Sequence, residues 1–208
     1  MSTQPAAPSD AELLSRWRQS DKQAGSALVE RHFTAVYRFL RRRIGDTAVA
    51  RDLAQQTFLT LVESSGAAPE HVRMRAWVLG IARNLMLHHW RDLARPASDV
   101  GEPQSVATPS QAVGDQQARA LVRRAIAALP DELRMTLELH YWDELTTAEV
   151  AAVLEAPVGT IKWRLSRARE LLRAAIVEHA GDARLVDATL RGLDRLAREV
   201  GSDDDGAP

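Results

Sequence analysis

A cluster of basic, polar and aromatic residues between positions 160 and 167 has the chemistry for binding DNA. Its members are Thr160, Lys162, Trp163, Arg164, Ser166 and Arg167. Lysine and arginine bind phosphate groups, and side chains near the start of a helix can reach base edges in the major groove. The cluster therefore favours contact with duplex DNA, and an ordinary amphipathic hairpin with a solvated basic face is the alternative.

Two short helices joined by a tight turn are predicted to position this cluster. Thr146 and Glu149 have the reciprocal spacing of a capping box, which starts the first helix, and Pro157 suits the opening of the second. The second helix has an apolar stripe at helical spacing, formed by Ile161, Leu165, Ala168 and Leu172. This arrangement is typical of a helix-turn-helix unit, whose second helix enters the major groove of DNA.

The same stretch resembles the fourth conserved region of bacterial RNA polymerase sigma factors of the extracytoplasmic-function (ECF) group. GTIKWRLSRARELL is similar to that group's GTVKSRLxRARxxL signature, and the resemblance runs from Ala128 to Leu172. It implies that the cluster reads the minus-thirty-five promoter element as duplex. Trp163 replaces a usual serine, which would change the promoter bases that are tolerated. Glu155 stands in the turn where the group often has glycine, and a left-handed backbone there would cost about 1 kcal/mol.

The sequence of the N-terminal half predicts four further helices. A second capping box, Ser9 with Glu12, opens the first helix, and Asp21 to Gly25 is predicted to turn. Apolar periodicity then predicts helices over 27–43, 46–63 and 74–93. The polar residues predicted to face outward on the 46–63 helix are Arg51, Asp52, Gln55 and Gln56.

The helix predicted over 74–93 combines aromatic rings with basic and hydrogen-bonding side chains. These are Trp77, Arg83, Asn84, His88, His89, Trp90 and Arg91. Because aromatic rings and arginines can stack on unpaired bases, this helix is a candidate site for single-stranded DNA. Ile81 and Leu85 are predicted to form its core stripe, and Trp77 is predicted to lie in the core. The alternative is a helix whose polar groups are merely solvated.

This half also resembles ECF sigma factors at two helices. ARDLAQQTFLTL is similar to the group's AEDLxQExFLxx helix, which docks on the clamp helices of the polymerase's largest subunit. The resemblance implies that Asp52, Gln55 and Gln56 contact the polymerase and that Phe58 belongs to the core. Arg51 and Gln56 stand where acids are common, so this face is less acidic than the family pattern.

The second resemblance concerns the aromatic and basic helix. RAWVLGIARNLMLHHWR is similar to the WLxxIARNxxxDxxR helix that melts and holds the minus-ten promoter element. It implies that Arg83, Asn84, His88 and Arg91 contact the single strand, and that Asn84 and the 64–73 loop trap a flipped base. His88 stands where aspartate is common in the family.

Composition limits the classes of protein to be considered. The chain has 208 residues, of which 45% are hydrophobic and 5% aromatic, and this favours helical domains over sheet. The absence of cysteine excludes a disulfide framework, a thiolate zinc site and a cysteine nucleophile. Positions 9–95 carry 14 Lys and Arg against 9 Asp and Glu, an excess that suits an anionic partner. The sequence shows no targeting signal and no stretch for membrane insertion, so we expect a cytoplasmic protein.

The predicted fold is all-α, with two small helical domains joined by a flexible linker. A disordered N-terminus over 1–8 precedes a sigma region 2 helical bundle over 9–95. The linker over 96–115 could extend to roughly 60 Å. It either threads the RNA-exit path, as the resemblance implies, or is a plain tether. A sigma region 4 helix-turn-helix occupies 116–178. The extension over 179–208 contains an amphipathic helix and an acidic tail, and that helix either packs on its own domain or docks a regulator.

We therefore expect an alternative sigma factor that directs core RNA polymerase to specific promoters and helps to melt the minus-ten element. Its expected partners are the clamp helices and flap region of the polymerase, promoter DNA and an anti-sigma factor. No cofactor, metal site or enzyme activity is expected, because the sequence offers no His-x-x-x-His motif or paired carboxylate cluster. The alternative function is a stand-alone helix-turn-helix transcriptional regulator.

Overall fold

The computed structural model describes residues 7–64, 73–94 and 116–180, which form eight α-helices and no strand. The helices fall into two compact units, divided between Val106 and Ala107. The first unit contains α1 (Asp10–Arg18), α2 (Lys22–Arg41), α3 (Thr47–Glu63) and α4 (Met74–Ala94). The second contains α5 (Gln116–Ala127), α6 (Asp131–Tyr141), α7 (Thr147–Leu154) and α8 (Val158–Ala180). The prediction of an all-α fold is confirmed. The predicted linker, the 65–72 part of the loop, the N-terminal residues 1–6 and the C-terminal helix lie outside the described residues.

Side-chain caps define the helix starts of the first unit. Ser9 accepts the N–H of Glu12 while Glu12 accepts the N–H of Ser9, so the predicted capping box is present. The turn predicted over Asp21 to Gly25 is wrong. One carboxylate oxygen of Asp21 accepts the N–H groups of Gln23 (3.0 Å) and Ala24 (3.1 Å), and this N-cap starts α2 at Lys22.

Gly25 belongs to α2 and permits close packing of the first two helices. A Cβ atom at this position would lie 2.4 Å from Nε1 of Trp17, so a larger residue would force the indole to move. The glycine therefore has a packing role inside a helix, although its sequence context suggested a turn. It lets the α1 indole lie directly against the α2 backbone.

The core of the first unit is built mainly from α2, α3 and α4. Its largest fully buried side chains include Leu28, Phe39, Leu61, Leu79 and Met86. On α4 the buried residues are Ala76, Val78, Leu79, Ala82 and Met86, whereas Ile81, Leu85 and Trp77 are only half-buried. The predicted core stripe of this helix is therefore wrong. Apolar residues occur on several sides of α4, so their spacing alone does not identify the side that packs.

The second unit is organised around α8. The predicted stripe of Ile161, Leu165, Ala168 and Leu172 is buried, and Ile176 continues it one turn further. His140 of α6 is buried in the same core, where its Nδ1 donates to the carbonyl oxygen of Leu145 at 2.7 Å. Burial of the imidazole lowers the pKa of His140 below its ordinary value. None of the described helices has the length and hydropathy needed to cross a membrane.

Candidate nucleic-acid interface

Helices α7 and α8 form the predicted helix-turn-helix. Thr146 and Glu149 make both hydrogen bonds of the capping box, at 2.8 Å and 3.2 Å. Glu155 closes α7 in the left-handed conformation, with φ 52° and ψ 45°. The turn therefore has the left-handed backbone on which the strain of about 1 kcal/mol depends. The carbonyl of Pro157 then accepts the N–H groups of Thr160 and Ile161, which fixes the first turn of α8.

The outer side of α8, opposite its buried stripe, carries most of the predicted duplex-binding residues. Lys162, Trp163, Ser166 and Arg167 are exposed, and Thr160 is half-buried in the first turn. Trp163 is 62% exposed, which is unusual for an indole and leaves most of its ring available to a partner. The structure thus brings five of the six predicted residues to the accessible side of one helix.

Arg164, the sixth predicted residue, is tied to another helix. Its Nη2 lies 2.6 Å from Oε2 of Glu132 on α6, and only 17% of its side chain is exposed. On the opposite flank of the buried stripe, Arg169 donates from Nε to the hydroxyl of Tyr141 at 2.8 Å. The two arginines therefore fasten α8 to α6. Helical periodicity gave no signal of either contact, because the partners are 32 and 28 residues apart in the sequence.

The predicted single-strand site lies along one side of α4. Asn84, His88 and Arg91 are exposed and follow one another at spacings of four and three residues, which places them on one face. Arg83 is half-buried at the edge of this face, where its Nη1 donates to Oδ1 of Asn84 at 3.3 Å. Trp77, two turns before Asn84, shares the face. All four predicted residues therefore lie on or beside one surface.

The predicted polymerase-docking residues are exposed on α3, as expected. Asp52, Gln55 and Gln56 lie on one face together with Leu59, which is 64% exposed. Phe58 is buried, so its predicted core position is confirmed. Leu59 belongs to none of the sites predicted from the sequence. Leu59 follows Asp52 by seven residues, which is two helical turns. This spacing could have identified it as an apolar residue on the outward side of α3, outside the buried stripe.

Among the described residues, no group of three or more His, Asp or Glu side chains is placed to hold a metal ion. The chemistry available on the α4 and α8 faces is therefore that of cations, amides, hydroxyls and aromatic rings. Such groups bind phosphates, base edges and unstacked bases.

Comparison with known proteins identifies the family. Residues 28–96 match the family model described as Sigma-70 region 2, and residues 119–172 match the model described as Sigma-70, region 4. The chain is 32% identical over 157 residues to the ECF RNA polymerase sigma factor SigL of Mycobacterium tuberculosis, covering 73% of this chain and 88% of SigL. The chain belongs to the ECF group of the sigma-70 family.

Further relatives agree with this assignment. The ECF sigma factor SigW of Bacillus subtilis is 29% identical to this sigma factor over 169 residues, covering 75% of this chain and 90% of SigW. The crystal structure of RpoE from Bartonella quintana in complex with the anti-sigma factor NepR has a TM-score of 0.60, with 22% identity and coverage of 73% of this chain and 95% of RpoE. This structural likeness shows that the two proteins share a fold.

The matched regions contain all three exposed faces of this sigma factor. The α3 and α4 faces lie within the region 2 match, and the outer side of α8 through Arg167 lies within the region 4 match. Helix α1 precedes the region 2 match, and Asp10 of α1 contacts α2 through His32 and Arg31. The family assignment therefore covers the helices that carry every predicted contact residue.

Proposed function

We propose that this protein is an alternative sigma factor that binds core RNA polymerase, directs it to specific promoters and helps to melt the minus-ten element. The observation that carries the proposal is the presence of a region 2 match and a region 4 match in one chain. A stand-alone helix-turn-helix regulator would account for α7 and α8. It would leave the exposed faces of α3 and α4 without a role, so the sigma factor is the better supported function.

The outer side of α8 is the proposed contact to the minus-thirty-five element. Lys162 and Arg167 bind phosphates or base edges, Thr160 and Ser166 contribute hydroxyl groups, and Trp163 contributes an apolar surface. Arg164 joins this surface by exchanging its carboxylate partner for a phosphate. Its pairing with Glu132 is worth at most about 1 kcal/mol, because the Glu132 side chain is 74% exposed and well solvated.

The first unit has two proposed roles on two helices. Arg83, Asn84, His88 and Arg91 of α4 hold the opened strand of the minus-ten element, where their amide and cationic groups contact bases and backbone. Asp52, Gln55 and Gln56 of α3 bind the clamp helices of the polymerase, and Leu59 supplies the apolar centre of that contact. The energy for opening DNA comes from these binding contacts, and the protein has no enzyme activity or cofactor of its own.

The proposed domain roles follow the boundaries predicted from the sequence. Positions 9–95 bind polymerase and the minus-ten element, 116–178 bind the minus-thirty-five element and the polymerase flap region, and 96–115 link them. An anti-sigma factor is the proposed regulator, because the fold matches RpoE bound to the anti-sigma factor NepR. The protein acts in the cytoplasm, where RNA polymerase and the chromosome are found.

Separate variants of α8 and α3 test this division of roles. Lys162→Ala should abolish most promoter-specific transcription while leaving the affinity for core polymerase unchanged, because it removes a DNA contact. Asp52→Ala should weaken core binding itself. Lys22→Ala is the matched control, since Lys22 is the other lysine of the chain and is exposed at the start of α2. An equal loss of core binding in the Lys162 and Asp52 variants would contradict the assignment.

A further inference from the structure

Two arginines among the predicted duplex-binding residues of α8 each hold a carboxylate. Nη2 of Arg164 lies 2.6 Å from Oε2 of Glu132 on α6, and Nη1 of Arg167 lies 2.7 Å from Oε2 of Glu170, three residues further along α8. Lys162 is the third cation among the duplex-binding residues. Two of the three cations proposed to meet DNA are therefore paired with an anion in the protein by itself.

The two carboxylates offer these arginines the same kind of contact that a DNA phosphate offers. Carboxylate and phosphate oxygens both accept charge-assisted hydrogen bonds from a guanidinium group. An N–H group that donates to a carboxylate must release it before it donates to a phosphate. The side chains of Glu132 and Glu170 are 74% and 67% exposed, so each can turn into solvent when its arginine leaves. We call Glu132 and Glu170 the competing carboxylates, because they and DNA bind the same arginines.

The packing of α8 against the rest of the second unit depends little on the charge of Glu132. The buried apolar stripe that begins at Ile161 lies in the core of this unit. On the other flank of the stripe, Arg169 donates to the neutral hydroxyl of Tyr141 on α6. Ion pairs with an exposed partner add little to stability. The effect of the Glu132 charge on DNA binding can therefore be measured without loss of the fold.

We propose that the competing carboxylates form an autoinhibitory contact, which lowers the affinity of the free protein for duplex DNA. In the complex with core polymerase, attachment to the polymerase holds the second unit near the promoter, and this high effective concentration outweighs the small penalty. The free protein has no such help, so it binds duplex DNA weakly and stays available to the polymerase. This inference rests on the proposed function, in which the outer side of α8 binds duplex DNA.

The test is the removal of one negative charge without a change of shape. Glu132→Gln should raise the affinity of the free protein for a labelled duplex by about two- to fivefold, the range that exposed ion pairs provide. Glu170→Gln should give a smaller gain, because pairs three residues apart on one helix are weak. The measurement is an equilibrium titration by fluorescence anisotropy at fixed ionic strength, with thermal unfolding to show that each variant is folded.

The salt dependence of binding gives a second readout. In the wild type, a carboxylate that loses its arginine takes up a cation while the DNA phosphate releases one, so the exchange releases little salt. In Glu132→Gln the release from the phosphate is not offset. The slope of log affinity against log salt concentration should therefore steepen by up to about 0.9, the value for one phosphate contact.

Asp131→Asn is the matched control. Asp131 is the neighbouring carboxylate in the first turn of α6, and it pairs with Arg134, which also donates to the carbonyl of Ala127 and is not a predicted duplex-binding residue. This variant removes the same charge without releasing Arg164, so its gain should be smaller. A gain in Glu132→Gln that is no larger than the control's, or that persists in an Arg164→Gln background, would overturn the proposal.

Failure of the proposed function is a separate outcome. Wild-type protein would then give no promoter-directed transcripts with core polymerase. The gain in Glu132→Gln is measured on the free protein with duplex DNA, so it does not depend on that result.

Discussion

The exposed leucine on α3 gives the sharpest quantitative prediction about polymerase binding. Full burial of a leucine side chain is worth about 1.5–3 kcal/mol, and 64% of Leu59 remains exposed in the folded protein. A partner that covers the residue can therefore gain about 1–2 kcal/mol from it, using the same burial coefficient. Leu59→Ala should weaken binding to core polymerase by about 5- to 30-fold. Protein stability should change by less than about 0.5 kcal/mol, as for other surface substitutions.

The assay is an equilibrium titration of labelled protein with core polymerase at fixed ionic strength, accompanied by thermal unfolding of each variant. Leu93→Ala is the matched control, because Leu93 is a second exposed leucine of the same unit, with 47% exposure, and lies on α4 away from the α3 face. It should bind core polymerase like wild type. Unchanged affinity of Leu59→Ala, or an equal loss in the two variants, would refute the docking role of Leu59.

Two further predictions concern the second unit. Burial lowers the pKa of His140 below its ordinary value of 6.5. Below pH 6.5 the unfolded chain therefore binds more protons at this residue than the folded protein does. The stabilisation present above pH 6.5 is lost as the pH falls toward the folded pKa. Thermal unfolding between neutral and acidic pH should show a weaker pH dependence in His140→Asn, and an identical dependence would contradict this. Glu155→Gly should relieve about 1 kcal/mol of left-handed strain at φ 52°. It should raise the melting temperature by about 4–8 °C, whereas a matching rise in Glu155→Ala would show that strain is not the cause.

The features that could be predicted from sequence are local ones. The capping boxes at Ser9 and Thr146 depend on residues three positions apart, and both are present in the structure. The buried stripe beginning at Ile161 repeats at the helical period, so its spacing in the sequence identifies the accessible side of α8. The outward face of α3 was predictable for the same reason.

The features that sequence reasoning missed depend on tertiary packing or on ambiguous local signals. Asp21 and Gly25 are typical of turns, but here Asp21 caps α2 and Gly25 accommodates an indole from α1. The packed side of α4 depends on the positions of α2 and α3, which periodicity within α4 does not contain. The contact of Arg164 with Glu132 joins two helices that are distant in the chain. The assignment of the two DNA-binding sets to the minus-ten and minus-thirty-five elements came from the family resemblance, and the contacts of individual residues remain predictions.

The most direct test of the sigma factor function is transcription by purified core RNA polymerase on a library of genomic fragments, with and without this protein. We expect transcripts that start downstream of a shared two-element motif only when the protein is present. Duplex DNA should be bound specifically only by the complex with core polymerase. Sequence-specific binding of duplex DNA by the protein alone, without any core-dependent transcripts, would contradict the account and favour a stand-alone regulator.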